Sequence, residues 1–297
     1  MLTKRWSRRH IIDGLIENII RLCGVTSMVI VTLIFLFLLK EGLSMFRVVT
    51  PLDFLFGKAW HPVSEPPSFG ILSLILGSFL VTAGAAALAL PLGVACAIFI
   101  AEIASPMVKE VVKVVVELLA AIPSVVIGFI GMIILAPMVQ KMFDLPTGLT
   151  AFSGSVMLAL MSMPTIVSIT EDAITAVPKQ YREAALALGA TKWQMIWRVV
   201  LRAASPGIIA GCMLGIGRVI GETMAVMMIT GNAAMIPNSL FQPVRTLTAT
   251  IAAEMGETVQ GSDHYAALFA IGIVLFAISF CINLTADIFL HREIRQR

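Results

Sequence analysis

The sequence predicts an all-α membrane protein of six transmembrane helices, with both termini on the cytoplasmic side. Three observations carry this. Of 297 residues, 58% are hydrophobic and 13% charged, and the mean hydropathy of +0.95 lies far above what a soluble domain needs to fill a core. Six apolar runs are each long enough to cross a hydrocarbon layer of about 30 Å as a helix. Lysine and arginine fall unequally on the two sides of those runs.

The first run, Leu22 to Leu39, lies between Arg21 and Lys40. The basic residues Lys4, Arg5, Arg8 and Arg9 precede it, as in a signal peptide. The run is too long for a signal core, and "LLKEGLSMF" after it offers no small-residue cleavage site, so it reads as a retained helix. The second run, Phe69 to Ala101, contains Pro91 and exceeds the hydrocarbon thickness at about 1.5 Å per residue, so it must kink, tilt or project. The third is Leu118 to Val139 with Pro123 near its start, and the fourth Ala151 to Thr170 with Pro164 inside. The fifth is Pro206 to Gly231, with Ser205 as N-cap and proline at the first helical position. The sixth is Tyr265 to Leu290.

With the N-terminus inside, fifteen lysines and arginines fall on the cytoplasmic side and five outside, and Arg218 belongs to neither. This asymmetry sets the N-in, C-in orientation and accounts for the net charge of +3 without a nucleic-acid partner. Two outside segments are long, Lys40 to Ser68 and Asn232 to His264. The first is rich in proline and aromatics and reads as an ordered loop. No soluble domain is expected at either end, so the energy source should be another chain or an ion gradient. The four cysteines and four histidines are scattered, without metal-ligand spacing.

The longest inside connection is "EDAITAVPKQYREAALALGATKWQMIWRVVLRAASPG". Pro178 can open a helix, "KQYREAALAL" is made of strong helix formers, and Gly189 can end it in a left-handed cap. Thr191 with Gln194 reads as a capping box for a second helix through Arg202. Tyr181, Ala184, Ala185 and Leu188 are expected on one face of the first helix. That face suits either the membrane surface or a cytoplasmic partner.

Arg218 and Glu222 lie four apart in "GRVIGETMAV", near the middle of the fifth run. A charge facing lipid there costs at least about 2.5 to 3.5 kcal/mol, so Arg218 should face the protein interior. They can pair with each other or with another span, as a structural ion pair. Alternatively Arg218 lines a path and meets an anion through its guanidinium fork, with Glu222 as its partner in a gate. Gly207, Gly211 and Gly215, and then Gly217 and Gly221, recur every four residues, a spacing for close helix packing. Lys113 and Glu117 read as interfacial charges that snorkel, and for Glu254, Glu257 and Asp263 a partner contact and simple solvation both stay open.

"EAALALGATKWQMIWRVVL", Glu183 to Leu201, resembles the EAA loop of ABC importer permeases, whose pattern is Glu-Ala-Ala, three residues, Gly, nine residues, Ile, one residue, Leu-Pro. Glu183, Ala184, Ala185, Gly189 and Leu201 match in register; Val199 and Arg202 depart from it. "ELLAAIPSVVIGFIG", "EDAITAVPKQYREAALALGATKW", "GRVIGETMAV" and "RTLTATIAAEMGE" together resemble the phosphate-specific ABC transporter permeases of the PstC type. The resemblance covers residues 69 to the C-terminus. It divides the chain into residues 1–68 and a permease core of type I importer fold at 69–291, with the EAA loop at 178–202.

The resemblance implies a permease in the bacterial inner membrane that imports inorganic phosphate and is itself no enzyme. Its partners would be a homologous second permease of the PstA type, an ATPase dimer that binds ATP and magnesium, and a periplasmic phosphate-binding protein. Tyr181, Glu183, Ala184, Ala185 and Gly189 would couple to the ATPase, and Arg218 and Glu222 would form the substrate path or gate. No catalytic residue, metal site or cofactor is expected in the chain itself. Gly57-Lys58-Ala59, the nearest fragment to a nucleotide-binding loop, lacks the spaced glycine and the Ser/Thr that phosphates and magnesium require. The alternatives are a permease for another oxyanion such as molybdate or sulfate, and a secondary transporter with an intramembrane ion relay.

Overall fold

The computed structural model describes residues 3–295, and the side chains of 1–12, 286–287 and 289–297 lie outside what it describes. Those include Lys4, Arg5, Arg8 and Arg9 and the C-terminal Arg292, Arg295 and Arg297. In chain order the elements are α1 (Thr3–Ser44), α2 (Pro51–Phe56), β1 (Trp60–His61), β2 (Ser68–Phe69), α3 (Leu72–Ile98), α4 (Pro106–Ala121), α5 (Ser124–Ile130), α6 (Ala136–Met142) and α7 (Ala151–Thr175). They continue with α8 (Lys179–Ala187), α9 (Lys192–Met195), α10 (Leu201–Gly221), α11 (Met224–Ile229), α12 (Leu247–Glu254) and α13 (Asp263–Arg295). Three widened π turns extend α3 through Ile103, join α5 to α6, and join α9 to α10.

Among the described residues six helical stretches are long and apolar enough to cross a membrane: Asp13–Arg47, Leu72–Ile103, Ser124–Met142, Ala151–Thr175, Lys192–Gly221 and Asp263–Thr285. The number agrees with the sequence, but the limits of the third and fifth spans do not. The third span begins at Ser124, because Ile122 and Pro123 are extended and break the chain from α4. A residue before proline is pushed out of the helical region, which places the break there. In the fifth span Ser205 is no N-cap and Pro206 no first residue: the helix runs unbroken from Lys192 to Gly221 with Pro206 inside it. It does not reach Gly231, since Glu222 is extended (φ −71°, ψ 136°) and the chain resumes helix only at Met224.

Helix α7 is the centre of the molecule, flanked by α3 and α10. Glycine makes both contacts close. A Cβ at Gly207 would overlap Ala173, one at Gly215 would overlap Ile166, and one at Gly93 of α3 would lie 2.8 Å from the same Ile166. The row Gly207, Gly211 and Gly215 therefore packs as its spacing predicts. Gly217 and Gly221 do not: nothing lies within 4 Å of a Cβ at either.

The segment after α1 is an ordered cap, as its prolines and aromatics predict. Thr50 caps α2 by accepting from the Asp53 amide, with Pro51 at the first turn, and β1 and β2 pair antiparallel with Trp60 opposite Phe69. Met45, Phe54, Trp60, Phe69, Ile71 and Leu74 are buried together against Leu247 of α12 and Leu268 and Ile271 of α13. Their burial joins this cap to the far end of the chain.

Candidate translocation path and coupling helix

Two groups of residues carry the expected function, at opposite ends of α10. The first surrounds the break in the fifth span. Arg218 is the last basic residue of α10 and is exposed on the side of Gly217, Gly221 and Leu214, with Nη1 3.4 Å from Thr165 Oγ1 of α7. It therefore does not face the interior of this chain. Glu222 does not pair with it. Because α10 ends at Gly221, residues 218 and 222 no longer share a helix face, and the Glu222 carboxylate accepts instead from the Thr223 amide at 3.2 Å. Among the described residues Arg218 has no ion pair.

Non-helical backbone at membrane depth survives only where the protein satisfies its polar groups. Here α12 does so. The Thr248 hydroxyl donates to the Glu222 carbonyl at 2.8 Å, and the Leu247 amide donates to Ser78 Oγ of α3 at 2.9 Å. The far end of α12 is fixed through Glu254. Its carboxylate receives the Trp60 indole N–H, pairs with Arg245 and meets His264 Nε2 at 2.8 Å. Glu254 is thus a half-buried junction, engaged within the chain.

The second group is the loop after α7. Pro178 precedes the first helical residue, Gly189 has φ +82°, and Thr191 and Gln194 form the reciprocal capping box. With nothing within 4 Å of a Gly189 Cβ, the backbone conformation alone demands glycine. Tyr181, Glu183 and Ala184 are exposed, and Leu188 is 90% exposed. Ala185 departs from that face: it is buried against Ile174, Met195 and Ile196. So α8 shows Tyr181, Ala184, Leu186 and Leu188 outward and keeps Ala185 inward. Beside it lies an open cleft of about 630 Å³, between Ala173, Tyr181, Arg198 and Val199.

Further charged residues complete this end. Glu171 of α7, 3% exposed, pairs with Lys109 at 2.7 Å and Lys113 at 3.0 Å. Lys113, expected to snorkel at the interface, is instead fastened to α7, and its amine is held above the usual lysine value by the hydrogen bond and charge of Glu171. Arg182 of α8 pairs with Glu102 at the end of α3. A carboxylate closing an apolar run was the one signal for Glu102 in the sequence.

Residues 89–295 match the family described as binding-protein-dependent transport system inner membrane component. The chain belongs to that family. Such proteins are permease subunits of ABC importers, so this permease is a multi-pass protein of the cytoplasmic membrane that works with an ATPase and a substrate-binding protein. It is 41% identical over 264 residues to the probable ABC transporter permease protein YqgH of Bacillus subtilis, covering 88% of this chain and 85% of that one. It is 38% identical to the phosphate transport system permease protein PstC of Mesorhizobium japonicum, covering 81% and 78%. The permease of a bacterial alginate ABC transporter superposes with a TM-score of 0.64 at 18% identity, over 91% of this chain and 93% of that one. The permease fold is thereby that of the type I ABC importers.

Proposed function

We propose that this permease moves inorganic phosphate into the cell as part of an ATP-driven importer. Its likeness to PstC of Mesorhizobium japonicum over about four-fifths of both chains is the observation that carries the substrate. The chemistry of the exposed Arg218 is consistent with it, because a guanidinium offers a planar fork of donors to an oxyanion.

The face holding Arg218, Gly217 and Gly221 is open in this chain, and a cation facing lipid is costly. A homologous second permease of the PstA type covers it in this reading, with the path between the two. Arg218 then lines the path. Pairing with Glu222 would require residues 222 and 223 to become helical and extend α10, which breaks the Thr248 bond. That change is the gate: closed when Glu222 joins Arg218, open when the break re-forms. At the other end α8, with Tyr181, Glu183, Ala184 and Gly189 outermost, docks on the ATPase on the cytoplasmic side, which makes the orientation N-in and C-in.

Uptake of labelled phosphate at low external concentration tests this, in cells lacking the chain and in cells with it restored. Uptake should return with the chain, resist sulfate and molybdate, and collapse when ATP is depleted. Restored uptake that molybdate or sulfate blocks would make the substrate another oxyanion. Uptake that follows the proton gradient would contradict the ATP-driven reading.

A further inference from the structure

We propose that Arg182 is a positioning residue for transport: it makes α3 and α7 follow the docking helix α8 as one body. This rests on the reading of α8 as the surface that meets the ATPase. The guanidinium makes four hydrogen bonds to two other elements. Its Nε and Nη2 donate to Glu102 Oε1 at 2.9 and 2.6 Å, at the π turn that ends α3. Its Nη2 and Nη1 donate to the carbonyls of Ile174, at 2.8 Å, and Val177, at 2.5 Å, where α7 ends. Carbonyls at a helix C-terminus attract a cation, so this one group closes α7 and grips α3 together.

The surroundings make the pairing specific. The Glu102 side chain is 7% exposed and that of Arg182 19%. Lys109 and Lys179 line the same recess, but Lys109 is taken by Glu171. A lysine at 182 could supply charge, but not a planar fork that reaches one carboxylate and two carbonyls at once. Besides Arg182, α8 is held by Ala185, its one buried residue, which packs on Met195, Ile196 and Val200 at the start of the fifth span, while one flank borders the open cleft. A push on α8 reaches the fifth span through Ala185, and its polar link to α3 and to the end of α7 is Arg182. Downstream, α7 carries the Gly207, Gly211 and Gly215 contacts of α10, whose last turn holds Arg218. The pair thus lies on the line of packing from the docking helix to the path.

The test uses the whole transporter in proteoliposomes: this permease with its second permease, ATPase and binding protein, reading phosphate uptake and ATP hydrolysis in one preparation. In Arg182→Gln and Glu102→Gln, ATPase subunits should copurify at the normal ratio and hydrolysis continue. Phosphate moved per ATP should fall by about tenfold, within the usual range of coupling between sites. Arg182→Lys should fall between these and the unaltered chain. An unchanged ratio of uptake to hydrolysis in the assembled Gln variants would overturn the proposal. So would loss of the ATPase subunits from both, since the pair would then merely hold the fold. Leu188→Asp on the outward face separates the underlying reading: it should strip the ATPase from the complex. If it does not, docking through α8 fails, whatever the Arg182 result.

Discussion

The hydroxyl of Thr248 donates to the backbone carbonyl of Glu222 at 2.8 Å, joining α12 to the break between α10 and α11. Thr248 is 7% exposed, so the bond is made away from solvent. Thr248→Val keeps the shape and removes the donor. Leaving a buried acceptor unsatisfied costs about 1 to 3 kcal/mol. The expected outcome is a lower midpoint of thermal unfolding in detergent and reduced uptake, with Thr248→Ser close to normal in both. Normal uptake in Thr248→Val would show that the break holds without α12.

Arg218 and Glu222 invite a double-mutant cycle read in two ways. The two are not bonded to each other, so the stability losses of Arg218→Gln and Glu222→Gln should add within about 0.5 kcal/mol. Uptake rates should not add, because the proposed gate brings the pair together during the cycle. Additivity in both measurements would remove the gate and leave Arg218 to act alone.

Much of this was legible in the chain. Six spans, the ordered cap after α1, the left-handed Gly189 and the Thr191 capping box all follow from rules that act within a few residues, and the structure has them. Junctions made by distant segments left no local trace. Arg182 and Glu102 are eighty positions apart, and Trp60 and Glu254 are 194 apart. The break at Glu222 lay between these cases. Gly217 and Gly221 weaken the helix locally, and Thr223 adds a β-branch, but an apolar run continues through them and reads as one span. What decides the break is α12, which supplies a hydrogen bond that the run cannot.

The two glycine rows make opposite predictions for the same substitution. In Gly215→Ala the new methyl meets the Ile166 side chain, and overpacking costs about 1 to 3 kcal/mol. In Gly217→Ala it meets nothing, and helix propensity favours it by about 1 kcal/mol. Thermal unfolding of the isolated permease should therefore fall for the first and hold or rise for the second. The assembled transporter tests the open face: Gly217→Ala should weaken association with the second permease. Unaltered association would place that partner elsewhere.

Glu254 gathers Trp60 from the cap, Arg245 from the loop before α12, and His264 from the start of α13. Its side chain is 16% exposed, so its charge is neutralised mainly by Arg245. Glu254→Gln keeps an oxygen for the Trp60 indole but leaves the guanidinium without a counter-charge. Breaking a buried pair from one side costs about 3 to 5 kcal/mol, and the partial exposure here reduces that. The damage should be local. Hydrogen exchange should speed up in residues 45–71 and in α12, while α7 and α8 keep their protection. Because α12 also holds the Glu222 carbonyl, uptake should fall with it. Faster exchange in the cap with unaltered uptake would separate the two roles, leaving Glu254 as a fastening for the cap alone.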